Sequence, residues 1–273
     1  MERGLSPEKR RAVTAGTRTF PRGSPMTFRT DSFTLRYWEI GCGEPLLFLH
    51  GAGLPATTFR EIILFLARRH TVVVPEIPGF GGSDFPGARW DFRTYSSLMQ
   101  RLVAARGYGI RRMIGYSFGG GIALHLAPAL PDLESLVLLS PADGATRYRH
   151  AGVVTRIVRE AASGLRESTR KRTARIFARI ARDYILNSFR WVFFQQRLLG
   201  VMVRCFRDTG GHGVVDVPTT VISADADIFF PGSAASLRPA LPRAEFRTLK
   251  GIHLWVLLDP ALVEREITRA FGE

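Results

Sequence analysis

Arg112-Met113-Ile114-Gly115-Tyr116-Ser117-Phe118-Gly119-Gly120-Gly121 decides how the rest of this 273-residue chain is read. A short apolar run leads into Gly-x-Ser-x-Gly, and an apolar stretch of helical character, Ile122 to Ala127, follows. Strand, sharp turn and helix are the context in which a serine is held at the apex of a strained turn with its hydroxyl projecting. Side chains at the two flanking positions would collide with neighbouring backbone, so Gly115 and Gly119 fit there. The helix that starts after the serine directs its positive dipole end toward negative charge developing at the hydroxyl. The pentapeptide alone also occurs as a plain glycine-rich turn, so the remaining parts decide.

Working outward, strands alternate with helices as far as residue 140. Phe33 to Ile40 alternates as a strand does, and Leu46-Leu47-Phe48-Leu49 is a continuous apolar run suited to burial on both faces. Thr58 to Arg69 places Phe59, Ile62, Ile63 and Leu66 at helical spacing. Thr71 to Val74 is β-branched, Phe92 to Arg106 predicts a helix, and Leu136 to Leu139 predicts the strand after the Ser117 turn. This alternation implies a mostly parallel central sheet with helices on both faces, an α/β architecture whose sites lie at the carboxyl ends of strands.

The alternation stops at residues 143–212, which read as helical. Arg172, Arg175, Arg179 and Arg182 share one face there, Ile176, Phe177, Ile180 and Tyr184 another, and the aromatics Trp191, Phe193 and Phe194 follow. Strands resume at Val217 to Ile222 and Phe246 to Leu249, and Pro260 to Phe271 predicts a closing helix.

Charge is uneven. The net charge is +14. Residues 1–25 hold six Lys/Arg and two Glu, residues 143–212 hold fifteen Lys/Arg and five Asp/Glu, and the remainder is balanced. The first 25 residues read as a disordered basic tail with no apolar signal core. An arginine-rich segment is most simply a solvated face. Peripheral contact with an anionic membrane is the less favoured reading, and no helix-turn-helix, RRM or zinc pattern supports nucleic acid. Cys42 and Cys205 form neither a disulfide framework nor a metal-ligand spacing, and a reducing cytoplasm is compatible with them. The residues call for no cofactor and no metal.

Ser117, then Asp225 or Asp227, then His253, each just after a strand, is the Ser–acid–His order of the α/β-hydrolase superfamily, which this chain resembles over about residues 32–272. Leu-His-Gly-Ala-Gly (49–53) is similar to its oxyanion loop, Pro-Gly-Phe-Gly-Gly-Ser-Asp (78–84) to its loop after the fourth strand, and Ala224 to Pro231 to its acid turn. Gly-Ile-His (251–253) with Pro260 resembles its histidine loop. Glu76 stands where relatives usually carry Asp. The resemblance implies a core at 26–142 and 213–273 with a helical cap at 143–212. It implies Ser117 as nucleophile, His253 as base, Asp227 as its orienting acid in preference to Asp225 and Asp143, and the backbone N–H groups of Ala52 and Phe118 as oxyanion hole.

His50 and Asp84 are expected to hold their loops, His125 to pack, and His70, His150 and His212 to be surface or loop residues. Relatives that open epoxides or displace halide use Asp at the nucleophile position, so serine points to acyl transfer. The expected substrate is a small-molecule carboxylic ester, thioester or lactone with an apolar acyl or aryl group. Carbon–carbon cleavage of diketones and a non-catalytic binding role are the alternatives.

Overall fold

The apolar runs become strands of one sheet. The computed structural model describes residues 24–142, 155–156, 159–160, 162–164, 171–190, 195–207 and 211–273. The strands are β1 (Met26–Thr30), β2 (Phe33–Gly41), β3 (Glu44–Leu49), β4 (His70–Pro75), β5 (Arg112–Tyr116), β6 (Ser135–Leu139), β7 (Thr219–Ala224) and β8 (Ala244–Leu249). They lie in the order β1-β2-β4-β3-β5-β6-β7-β8. Neighbours from β4 to β8 pair in parallel, and β1 and β2 add an antiparallel edge.

The chain winds one way from β3 to β4, then crosses back to β5. Strand order therefore reverses between β3 and β5, and a crevice opens at their carboxyl ends. The loops beginning at His50 and at Ser117 start there.

Helices cover both faces. They are α1 (Arg60–Leu66), α2 (Phe92–Arg106), α3 (Phe118–Leu126), α4 (Lys171–Arg190), α5 (Gln195–Cys205), α6 (Ser233–Leu237), α7 (Trp255–Leu258) and α8 (Pro260–Phe271). Side chains alternate across each strand, so two cores form. Leu47, Leu49, Met113, Leu136 and Leu138 join α2 and α3 in one. Leu46, Phe48, Ile114, Val137 and Leu139 join α1 and α8 in the other. The predicted helix over 92–106 ends where expected: Asp91 caps its start by accepting from the Thr94 N–H (2.9 Å), and Gly107 closes it at φ 65°.

Within residues 143–212, α4 lays Ile176, Phe177, Ile180 and Tyr184 on the second core, as its spacing predicts, and α5 buries Val201 and Val203 in the first. The arginine face is not uniformly solvated. Arg175 and Arg182 are exposed, but Arg179 turns inward to a two-pronged ion pair with Glu61 of α1, one prong at 2.8 Å. The Arg172 side chain, the aromatics at 191, 193 and 194, and the tail before residue 24 lie outside the described residues. Among the described residues no helix is long and apolar enough to cross a membrane.

One expectation needs correction, and one strand has no counterpart among the expected elements. β1 went unpredicted because its MTFRT sequence is half-polar and mostly exposed, held only by its ladder to β2. His70 is no surface residue. It opens β4, is buried, and sits between Glu273 and Arg112, with the Phe271 ring beside it.

Candidate active site

β5 ends at Tyr116, and α3 begins at Phe118 with a single residue between them. That residue, Ser117, takes φ 53° and ψ −118°. Its backbone, not a glycine's, carries the turn's positive φ. Such a conformation costs on the order of 1–3 kcal/mol and persists only when the surroundings impose it. Gly115 and Gly119 are needed for room. A methyl at 115 would lie 2.8 Å from the Gly119 carbonyl oxygen, and one at 119 would lie 2.2 Å from that of Leu49. The helix start is thereby pressed against the end of β3.

His253 arrives on the loop between β8 and α7, and Asp227 on the turn after β7. His253 meets Ser117 across 136 residues of chain, and Asp227 meets His253 across 26. His253 Nε2 lies 2.8 Å from Ser117 Oγ, and His253 Nδ1 lies 2.7 Å from Asp227 Oδ2. All three residues are buried, at 8, 5 and 5% exposed for Ser117, Asp227 and His253.

Burial alone would raise the Asp227 pKa. The neighbouring imidazole and the N–H groups of Phe229 and Phe230 outweigh it and hold the carboxyl below the usual range. An ionised carboxylate only accepts, so Nδ1 of a neutral His253 carries the proton. Nε2 then has a free lone pair to accept the Ser117 hydroxyl proton.

Rings fix the imidazole plane. Tyr116 stacks on His253 at 5.4 Å, Phe229 approaches at 4.8 Å and Phe230 at 5.5 Å. The Tyr116 hydroxyl donates to the His253 carbonyl (3.1 Å). Burial, then the negative charges of Glu160 and Asp227, keep that hydroxyl protonated far above its usual range.

The remaining sequence-predicted residues divide as follows. Phe118 opens α3, and the first N–H groups of a helix have no acceptor within it. Ala52 stands in the loop after β3, one residue past Gly51, whose added methyl would lie 3.3 Å from Ser117 Cβ. The loop that carries Ala52 therefore passes beside the serine, next to the start of α3. Asp225 lies apart from the histidine and accepts instead from the Gly251 N–H (3.0 Å). Asp84 ties its loop to β2 by accepting from the Thr34 N–H (2.6 Å). His125 packs against Phe92 and donates within α3 to the Gly121 carbonyl (2.9 Å), and His212 sets its ring edge-on to His125. Asp143 and His150 lie outside the described residues.

His50 holds the loop together. Its Nδ1 faces the Gly51 carbonyl (2.8 Å), and its Nε2 accepts from the Ile77 N–H (3.0 Å), an arrangement that needs the neutral ring. Complete burial, offset only in part by the Gly51 carbonyl and Glu76, pushes its pKa down to about 4. A histidine free at 6.5 in the unfolded chain and depressed in the folded one takes up its proton on unfolding between those values. The stability it confers is complete above pH 6.5 and is lost as pH falls toward 4. On the order of 2–3 kcal/mol is expected to disappear across that window. Urea unfolding at pH 7 and at pH 4.5 checks this, and His50→Gln should start less stable but lose less between the two.

Tyr116, Phe229 and Glu76 support the site from outside the Ser–acid–His pattern that marks it in the sequence. Glu76 accepts hydrogen bonds from the Gly82 N–H and, at 3.3 Å, from Trp38 Nε1. It thereby folds the 78–84 loop back on its own strand end.

A sequence profile of the alpha/beta hydrolase family matches residues 46–266. A soluble epoxide hydrolase of Corynebacterium sp. (strain C12) is 33% identical over 115 residues, which are 42% of this chain and 40% of that protein. The first matches to curated relatives span only 36 to 40% of those proteins' own length. Among solved structures, an enol-lactonase from Burkholderia xenovorans LB400 is similar at TM-score 0.72 and 16% identity, over 91% of this chain and all (100%) of that one. A meta-cleavage product hydrolase from Pseudomonas fluorescens IP01 is similar at TM-score 0.71 and 17% identity, over 90% of this chain and 97% of that one. With 221 consecutive residues under the family profile, the chain belongs to the alpha/beta hydrolase family.

Proposed function

We propose that this chain is a serine hydrolase that cleaves carboxylic ester, thioester or lactone bonds of small molecules through an acyl-enzyme on Ser117. The observation that carries the reading is the unbroken chain of short contacts from Ser117 Oγ through His253 to Asp227, at 2.8 and 2.7 Å. A serine hydroxyl is a weak nucleophile at neutral pH. A base on its proton and a carboxylate behind that base are the groups it needs.

In this reading Ser117 Oγ attacks the carbonyl carbon as its proton passes to His253 Nε2. The carbonyl oxygen becomes an oxyanion held by the N–H groups of Ala52 and Phe118. Losing one such donor typically costs about 3–4 kcal/mol of transition-state stabilisation. His253 then returns the proton to the leaving alcohol or thiol, and the acyl–Ser117 bond remains. Water, deprotonated by the same imidazole, releases the acid and restores the serine. Ser117, in place of an aspartate, sets the chain apart from the epoxide-opening and halide-displacing members of the family.

Residues 143–212 act as a cap in this reading. Tyr184 of α4 reaches over Gly53, and Leu198 of α5 over Gly79, so apolar side chains stand above two of the loops that edge the crevice. With Phe229 against the imidazole, these groups favour an apolar acyl or aryl group over a charged one. Cys42 and Cys205, which form no disulfide, suit a cytoplasmic setting.

Two measurements test this. A fluorophosphonate probe should label Ser117 and no other residue. Across p-nitrophenyl esters, kcat/KM should rise about 3- to 5-fold for each added methylene until the pocket is filled, given about 0.8 kcal/mol per buried CH2. A preference for acetyl or charged acyl groups would sink the apolar pocket. Turnover of a diketone with no ester hydrolysis would shift the reading to carbon–carbon cleavage.

A further inference from the structure

One face of the cap grips the loops that bear the acid and the base. The described residues of 155–164 are helical, and positions 156, 160 and 164 recur every four residues on one side. Arg156 Nε donates to the carbonyl of Ile228 (2.6 Å), the residue after Asp227. Glu160 Oε1 accepts from the N–H of Leu254 (2.9 Å), the residue after His253. At Gly164 an added methyl would lie 2.6 Å from the Phe177 ring of α4 and in ordinary contact, 3.7 Å, with Leu254, so the bare backbone lets this segment approach the ring closely.

Glu160 is only 3% exposed. Burying a carboxylate costs several kcal/mol unless its hydrogen bonds offset the loss of water. A surface helix that needed only to cover a pocket would bury an aliphatic side chain there. A carboxylate on a backbone N–H makes a shorter, stronger bond than a neutral acceptor does. Here that N–H belongs to the peptide unit next to the imidazole-bearing residue.

We propose that Glu160 is a positioning residue for His253, acting through the Leu254 N–H, and that Arg156 acts likewise on the Asp227 turn through the Ile228 carbonyl. The cap thereby sets the alignment of acid and base as well as covering the crevice. This deepens the serine-hydrolase reading and rests on it. Glu160 touches no reacting atom, and its effect reaches the chemistry through where the imidazole stands. Misplacing a catalytic group by about 1 Å costs up to about 100-fold in rate.

The test compares Glu160→Leu and Glu160→Gln with the wild-type chain on p-nitrophenyl butyrate. Glu160→Leu should lower kcat about 10- to 100-fold with KM within about twofold, because ester binding is untouched while base alignment is lost. Glu160→Gln, which keeps an acceptor for Leu254, should recover most of that kcat. A second readout needs no turnover. In proton NMR the deshielded Nδ1–H signal of the His253–Asp227 pair should sharpen in the wild type and broaden in Glu160→Leu, and Leu254 amide exchange should accelerate in the same variant. Equal kcat in Glu160→Leu and wild type, a change in KM alone, or a Gln variant as slow as the Leu variant would overturn the proposal. If Ser117 resists labelling while the NMR contrast persists, the ester-hydrolase reading fails and the positioning role stands. If labelling is normal and the NMR contrast is absent, the positioning role fails by itself.

Discussion

Ser117→Ala is expected to lower kcat on p-nitrophenyl esters by about 10⁵-fold while leaving the cooperative unfolding transition in place. At 1.36 kcal/mol per decade this is about 7 kcal/mol of barrier height, well above what an ordinary hydrogen bond contributes. The size follows from the chemistry. Without Oγ there is no atom for the acyl group to join and no proton for His253 Nε2, 2.8 Å away, to accept. Folding survives because the methyl fits the space that the hydroxymethyl group leaves.

Ser117→Gly separates strain from chemistry. Alanine keeps the Cβ and therefore the cost of φ 53°, whereas glycine removes it. Both variants should be equally inactive. Glycine relieves about 1–3 kcal/mol of strain against about 0.5–1 kcal/mol of extra chain entropy. The glycine variant should therefore melt above the alanine variant by about 2–4 °C for each net kcal/mol. Calorimetry on the pair checks this. Activity in either variant within tenfold of wild type would end the acyl-enzyme reading, and a glycine variant melting below the alanine one would end the strain argument.

How far the sequence could be read depended on how local each signal was. β3, β4, β5 and β6 were legible because a strand buried on both faces reads as a short, nearly continuous apolar run, as Leu46 to Leu49 does between turn residues. That Ser117, Asp227 and His253 converge was legible because each closely follows a strand, although β8, before His253, is short and half-exposed. β1 was not, since an exposed edge strand is fixed by its neighbour's hydrogen bonds and leaves little mark in its own side chains.

His70 misled for the same reason in reverse. Its burial comes from Phe271 and Glu273, some 200 residues away, with nothing nearby to announce it. Arg179 looked like part of a solvated stripe, yet Glu61 draws it inward. Glu160 and Arg156 each act on backbone atoms of distant loops, contacts that depend on where an insertion lands and not on residue types at a fixed spacing.

Gly119→Ala should abolish soluble expression, or destabilise the chain by more than about 4 kcal/mol where it can be measured, the range reserved for substitutions that force a clash in a packed interior. The new Cβ would stand 2.2 Å from the Leu49 carbonyl oxygen and 2.5 Å from those of His50 and the Leu49 carbonyl carbon. None of these atoms can step aside. Leu49 ends β3, paired on one edge to β5 and packed in the first core, and the His50 ring is bonded to the Gly51 carbonyl and the Ile77 N–H. Relief must come from pushing α3 off the sheet, which would carry Ser117 away from His253. Gly200→Ala supplies the contrast. It lies inside α5 with no atom within 4 Å of an added methyl, so alanine there should stabilise by about 0.5–1 kcal/mol through helix propensity and the unfolded chain. Denaturant midpoints for the two variants give opposite signs in this account. A Gly119→Ala variant of wild-type stability would mean that the end of β3 and the start of α3 are not pressed together, and the close approach that sets Ser117 at the head of its helix would lose its physical basis.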